Sequence, residues 1–236
     1  LKDRLAKVFG HDNAGFEKLA DALYLIDGPY QNPYELMTFY DNHDMPRLDA
    51  DDNGFINAHN WLFTARGIPV IYYGSETGFM RGKAEHEGNR NYYGQERIDA
   101  GASSPIYADL KRIAQIRRES PALQRGLQLN LLLDGNRAAF YRVYQHGDRS
   151  QTALVLLNKG GEPAEFRFTE KLQAGEWKSA ISGNTYRIDS VKPRFKTEVP
   201  ANGVEVLLFD GALTSPALLS ELNRLQAGKA RRTNGG

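Results

Sequence analysis

The sequence predicts an α/β unit followed by an all-β unit. Three observations carry this reading: two short apolar runs rich in β-branched and aromatic residues sit among helical patterns in the first half, the composition changes at Gln124 to Gln128, and from Leu127 on apolar residues recur with period two. Strand, helix, strand, long loop and helix, in that order, is a piece of a parallel β/α barrel, which needs eight strands and about 250 residues to close. Two strands cannot close it, so the remaining strands are expected elsewhere. The expected divisions are residues 1–123 for the barrel portion, 124–212 for an antiparallel β-sandwich, and 213–236 for a short helix and flexible tail.

Each element has its own signal. Leu1 to Gly10 places Leu1, Leu5 and Val8 on one stripe and reads as the last turns of an amphipathic helix, so the chain is expected to begin inside a domain. Asn13 to Ile26 carries Phe16, Leu19, Leu23 and Ile26 at helical spacing and stops at Gly28-Pro29. Leu36 to Tyr40 is a short apolar run ending in the polar cluster Asp41-Asn42-His43-Asp44, as a buried parallel strand delivering residues at its carboxyl end should look. Gly54 to Arg66 puts Phe55, Ala58, Leu62 and Ala65 on one helical face, and Ile68 to Tyr73 reads as a second buried strand. Ser75 to Gly101 is too long for a plain connector. Ser104 to Glu119 has Ser at the N-cap, Pro one position in, and Ile106, Leu110, Ile113 and Ile116 as its buried stripe. Beyond Leu127 the strands are expected at Ala138 to Tyr144, Thr152 to Leu157, Ala164 to Phe168, around Trp177, Tyr186 to Ile188 and Val204 to Phe209, with glycine- and asparagine-bearing turns between them. A last helical pattern runs from Leu218 to Leu225.

Composition excludes several functions. With 30 Lys+Arg against 29 Asp+Glu the net charge is +1, leaving no surplus to hold nucleic acid or an anionic membrane surface. The longest apolar stretches fall far short of the roughly 18 residues a spanning helix needs. The absence of Cys removes disulfides, thiolate metal sites and a cysteine nucleophile. No signal-peptide pattern opens the chain, so any export signal belongs upstream of it.

Phe39 to Leu48, FYDNHDMPRL, resembles the fourth characteristic region of the α-amylase family, glycoside hydrolase family 13. Gly67 to Gly78 is similar to that family's eighth barrel strand and the loop after it, Arg117 to Leu123 to the end of its final barrel helix, and the strands beyond to its domain C. The resemblance covers roughly Asn32 to Asp210, and looks nearest to bacterial α-amylases and cyclodextrin glucanotransferases. It implies the last strands and helices of a (β/α)8 TIM barrel followed by an antiparallel β-sandwich, in a retaining enzyme acting on α-1,4-glucans.

By position, the resemblance makes Asp44 the carboxylate that grips sugar hydroxyls and favours an oxocarbenium-like transition state. It gives His43 a bond to the same sugar, for which a neutral imidazole suffices. Asn42 fixes the turn that presents the pair, and Arg90 holds a sugar further toward the non-reducing end. Tyr72 and Tyr73 read as core by default, with Tyr73 set among the substrate-binding residues as an aromatic at the strand end on which a sugar can stack. The family often carries an aspartate four residues before that arginine, where this chain has His86 between Glu85 and Glu87. The nucleophilic Asp and the acid/base Glu belong to earlier strands, so the chain alone is expected to be inactive and to need the rest of the barrel as a second polypeptide or as upstream residues. No cofactor or metal is assigned within the chain; by the resemblance, the usual Ca2+ ligands belong mainly to the missing part. Secretion or a periplasmic location follows from the resemblance alone.

Simpler readings stand beside these. Asp-Asn-His-Asp on its own is a turn-forming cluster. Arg90 has an alternative as a surface ion pair with Glu85, Glu87 or Glu96, and Arg47 reads as an ion pair with Asp44 or Asp41. Period two allows only one of Tyr72 and Tyr73 to line the cleft. Trp61 and Trp177 read as core. At the level of function, a glucanotransferase of the same family and a non-catalytic carbohydrate-binding homologue are the alternatives to a hydrolase.

Overall fold

The computed structural model describes residues 1–25 and 29–233. Ile26 and Gly28, the expected end and stop of the second helical pattern, lie outside the described residues.

Helix α1, Lys2–Phe9, buries Leu5, Val8 and Phe9. The pattern after it forms a 3₁₀ helix, Phe16–Ala22, instead of the α-helix expected. Its start is tied to the later sheet, for Phe16 N–H donates to Gly135 O (2.9 Å) and Glu17 Oε2 accepts from Gly135 N (3.0 Å). Three residues per turn still bring Phe16 and Leu19 to one side, so the apolar face survives the tighter winding.

The two parallel strands are much shorter than their apolar runs. β1 is Met37–Thr38 and β2 is Ile68–Pro69, paired Met37 with Ile68. A parallel ladder gains little from one neighbour, and Pro69 has no N–H to offer. The outer edges are bare: Met37 is 67% exposed and Ile68 50%. The expectation of buried strands therefore fails here, for want of strands on either side.

Between them runs α2, Asp52–Thr64, which begins two residues before the expected Gly54 because Asp51 Oδ1 caps Gly54 N–H at 2.8 Å. α2 is buried nearly all round. Trp61 packs its ring 5.6 Å from Phe16 and 5.4 Å from Phe140, joining the helical half to the sheet. The long loop after β2 contains a 3₁₀ turn, Ser75–Thr77, and α3, Gln95–Gly101. α4, Pro105–Glu119, buries the expected Ile106, Leu110, Ile113 and Ile116, and α5, Pro121–Arg125, follows with Ser120 Oγ accepting from Leu123 N–H.

The second half is antiparallel. β3 (Leu127–Asp134), β4 (Arg137–His146), β5 (Arg149–Asn158), β7 (Gly175–Ser179), β8 (Thr185–Ile188) and β10 (Gly203–Asp210) form one sheet in the order β3-β4-β5-β10-β7-β8. β6 (Ala164–Phe168) pairs with β9 (Phe195–Val199), whose sequence FKTEV holds too few apolar residues to have been recognised as a strand. Alternation divides the sheet cleanly. Ala138, Phe140, Val155, Leu157 and Val206 join the core shared with α1 and α2, whereas Ala139, Tyr141, Leu154, Leu156 and Leu207 join Phe166, Trp177, Phe195 and Val199 in a second core. Both faces of β4 and β5 are covered, which is why those strands read as nearly continuous apolar runs. α6, Pro216–Thr233, extends well past the expected Leu218 to Leu225 and buries Leu218, Leu222 and Leu225 in that second core. Among the described residues no helix is long and apolar enough to cross a membrane.

The carbonyl end of α2 explains the polar seam between the halves. Its last carbonyls have no partner within the helix and carry the negative end of the helix dipole. Arg117 donates to Phe63 O, Ala65 O and Gly67 O at 3.0, 3.3 and 2.6 Å, and the fully buried Arg142 donates to Thr64 O at 2.6 Å and to Gly126 O at 3.1 and 3.0 Å. Arg142→Met strands those two carbonyls and is expected to lower the unfolding free energy by about 2–4 kcal/mol. Urea denaturation at constant m-value measures it, and a change under about 0.5 kcal/mol refutes the argument.

Candidate functional site

The chain leaves the carboxyl end of β1 through Tyr40 and turns at Asp41-Asn42-His43-Asp44. Asn42 Oδ1 accepts from Asp44 N–H at 2.8 Å, an Asx turn that aims the next two side chains outward together. His43 Nε2 then lies 2.9 Å from Asp44 Oδ2, and Arg90 Nη2 donates to Asp44 Oδ1 at 2.7 Å. Each carboxylate oxygen thus has one donor group, and the Asp44 side chain is still 59% exposed.

Arg90 uses a second edge of its guanidinium. Its Nε donates to His43 O at 3.2 Å, and the neighbouring Asn89 Nδ2 donates to the same carbonyl at 2.6 Å. Asn89 is fully buried: its Oδ1 accepts from His86 N–H (3.0 Å), and its carbonyl accepts from Tyr72 Oη (2.7 Å). The loop after β2 is therefore stitched onto the His43-Asp44 turn through backbone and side chain together. Arg90 pairs with Asp44 and makes no salt bridge to Glu85, Glu87 or Glu96.

Arg47 corrects the expected ion pair with Asp44 or Asp41. Buried, it donates through Nε to Gly88 O (2.9 Å) and through Nη1 to Tyr73 O (2.9 Å) and Ser75 Oγ (3.3 Å), and its guanidinium carbon lies 4.5 Å from the Tyr72 ring centroid and 4.9 Å from that of Tyr73. It braces the loop by cation–π contact and carbonyl bonds. Asp41 instead accepts from Ser75 Oγ at 2.9 and 3.0 Å and from Leu48 N–H at 3.4 Å. Burial pushes the Asp41 carboxyl upward, while the Ser75 bond and the Arg47 charge pull the other way.

Tyr72 and Tyr73 correct a second expectation. Their rings meet edge to face, 4.6 Å apart, and both face Arg47. β2 ends at Pro69, so period two does not reach them. Tyr73 is 36% exposed and donates its hydroxyl to Asn91 O at 2.6 Å.

The structure thus brings Asn42, His43, Asp44 and Arg90 into one cluster, with Tyr73 attached through the loop. Sequence reasoning passed over the roles of Asn89 and Ser75; the only sign of Asn89 was its place beside Arg90 in Gly88-Asn89-Arg90. Among the described residues no group of three or more His, Asp or Glu side chains converges as a metal site, and Asp41 is committed to Ser75 and Leu48. The cluster can accept hydroxyl hydrogens on a carboxylate, donate from imidazole and guanidinium, and place one negative charge beside a bound ring.

No family model matches the chain. It is 29% identical, over 91% of its length, to an α-amylase of Streptomyces lividans and 24% identical, over 90%, to a cyclomaltodextrin glucanotransferase of Paenibacillus macerans. It spans 25% and 30% of those two proteins. Among solved structures, the cyclomaltodextrin glucanotransferase CldA, described as having a three-domain ABC distribution, superposes with a TM-score of 0.69 at 28% identity, over 89% of this chain and 43% of that one. The likeness first read at Asn42-His43-Asp44 extends along most of the sequence, and the chain is a homologue of α-amylases and cyclomaltodextrin glucanotransferases.

Proposed function

We propose that this chain supplies the carboxyl-terminal part of a retaining α-glucan-active glycoside hydrolase of the α-amylase type, cleaving α-1,4 bonds of starch-like polysaccharides. The observation that carries the reading is the exposed Asp44 carboxylate, bridged to His43 and Arg90 at the carboxyl end of a parallel strand. A ring that gains positive charge in the transition state is stabilised by such a carboxylate, and a bond to its 2-hydroxyl strengthens at the same moment. Exposed ion pairs are worth about 0–1 kcal/mol, so sugar hydroxyls can replace His43 or Arg90 on Asp44 at little cost. His43 then binds the same sugar, while Arg90 and Tyr73 contact the next one.

The bond-breaking pair comes from outside this chain. A retaining reaction needs a nucleophile and an acid/base carboxyl about 5 Å apart across the scissile bond. Asp41, the other carboxylate of the cluster, is buried against Ser75 and faces away from that task. The bare edges at Met37 and Ile68 support strands from the remaining barrel segment, either a second polypeptide or a preceding one, packing on both sides of β1 and β2. By the resemblance, the calcium ligands of such an enzyme lie mainly in that segment.

Intact mass and native-gel analysis of the protein as isolated from its source, coupled to starch hydrolysis, tests this. A tightly held companion segment together with released reducing ends is the expected result; a monomeric, cooperatively unfolding and inert chain overturns it. The likeness to CldA supports a second reading, a glucanotransferase, in which case the same assay yields cyclic glucans in place of linear ones.

A further inference from the structure

Away from the Asp44 cluster, a cavity of about 300 Å³ lies between the end of α1, the first turns of α2 and the loops that leave β5 and enter β10. It shares no lining residue with that cluster, and its size is at the lower end of the roughly 300–1,000 Å³ typical of small-ligand sites.

Its polar groups divide into committed and uncommitted ones. The nearly buried Lys159 ammonium spends its bonds on Asn13 O (3.2 Å), Asn13 Oδ1 (2.5 Å) and Asn136 Oδ1 (3.0 Å). Asp51 Oδ1 caps α2, and His11 Nε2 lies 3.2 Å from Asp49 Oδ1. One ammonium and one carboxylate line the cavity, so the net charge of its lining favours neither an anion nor a cation.

The amides differ. Asn57, only 5% exposed, donates from Nδ2 to Asn202 Oδ1 at 3.0 Å. That bond uses one donor group and one acceptor, leaving Asn57 Oδ1 and Asn202 Nδ2 with no partner among the described residues. Exchanging O and N on both amides leaves the same remainder, one acceptor and one donor. Unlike the sealed amide of Asn60, that of Asn57 is not shut off from the cavity.

We infer that this cavity binds a neutral polyhydroxyl compound of about one sugar ring, with Asn57 and Asn202 reading two neighbouring hydroxyls. Adjacent hydroxyls each donate and accept, so a vicinal diol satisfies a spare acceptor and a spare donor held side by side. A buried amide with half its capacity unused is costly until water or a ligand fills it, and a diol that fills both groups at once displaces that water. The inference stands on the cavity alone and survives loss of the reading of Asp44.

Titrating the 15N-labelled protein, with any companion barrel segment in place, with D-glucose and separately with inorganic phosphate tests it. The side-chain amide resonances of Asn57 and Asn202 are expected to shift saturably with glucose, with a dissociation constant in the millimolar range, and to ignore phosphate. Asn202 has φ +51°, a conformation glycine adopts freely, so Asn202→Gly keeps the turn and removes the amide. It is expected to weaken glucose binding, read at the Asn57 side-chain amide, at least about tenfold, the loss of one good hydrogen-bonding group. No saturable shift with glucose, a response to phosphate in its place, or unaltered affinity in Asn202→Gly overturns the inference.

Discussion

Asp44→Asn is expected to lower kcat of the complete enzyme by on the order of 10³-fold, about 4 kcal/mol of transition-state stabilisation. The substitution keeps the shape of the side chain and an oxygen for Arg90, so the 2.7 Å bond that anchors the turn survives as a neutral one. What disappears is the negative charge. That charge has little to act on in a neutral ground-state sugar and much in a ring approaching an oxocarbenium ion, so the loss falls on kcat while KM changes little. The exposed position of Asp44 removes the objection that the variant merely unfolds, because surface pairs of this kind contribute about 0–1 kcal/mol to stability. Starch hydrolysis under saturating substrate, with the thermal midpoint as control, decides the matter. Activity within about tenfold of the parent returns Asp44 to the simpler reading, a residue that shapes a turn.

The helices and the site differ in how far their sequence announced them. α4 was legible because its four apolar residues recur at helical spacing and its packing partners lie within the chain. β1 and β2 were legible as strands but not in length, since length depends on neighbours that Leu36 to Tyr40 and Ile68 to Tyr73 do not have here. Asn42, His43, Asp44 and Arg90 were legible as a cluster through their resemblance to known enzymes, not through any property of the isolated residues. The supporting set was not. Asn89 reaches His43 O across 46 positions and Ser75 reaches the Asp41 carboxylate across 34, and side-chain hydrogen bonds of that span leave no periodic trace. Arg47 was misread for the same reason: with carboxylates at positions 41 and 44, charge alone suggested an ion pair, whereas backbone carbonyls and two tyrosine rings take the guanidinium.

Acid should weaken the fold through a residue that plays no part in the site. His59, in the middle of α2, is fully buried; its Nε2 lies 2.7 Å from Tyr40 Oη and its Nδ1 has no partner among the described residues. An imidazolium there would lack solvent and any carboxylate against it, and burial pushes its pKa down from 6.5 to about 3. In the unfolded chain the ring protonates near pH 6.5. Between that value and about pH 3 the unfolded state therefore holds one proton more than the folded state, and stability falls as pH falls, by about 1.4 kcal/mol per unit. Across the window this amounts to roughly 4–5 kcal/mol, comparable with the 5–15 kcal/mol that typically holds a domain together. Asp41 acts in the opposite sense, since burial raises its pKa and the folded state there takes up its proton at higher pH than the unfolded chain does. His59→Gln separates the two: it retains a hydrogen-bonding end for Tyr40 and cannot titrate, leaving the Asp41 contribution in place. Unfolding free energies from urea titrations between pH 7 and pH 4 are expected to fall more steeply for the parent than for His59→Gln, with a difference in slope near 1.4 kcal/mol per unit. Parallel profiles would mean that the imidazole finds a proton acceptor inside the fold, with Nδ1 as the atom to examine.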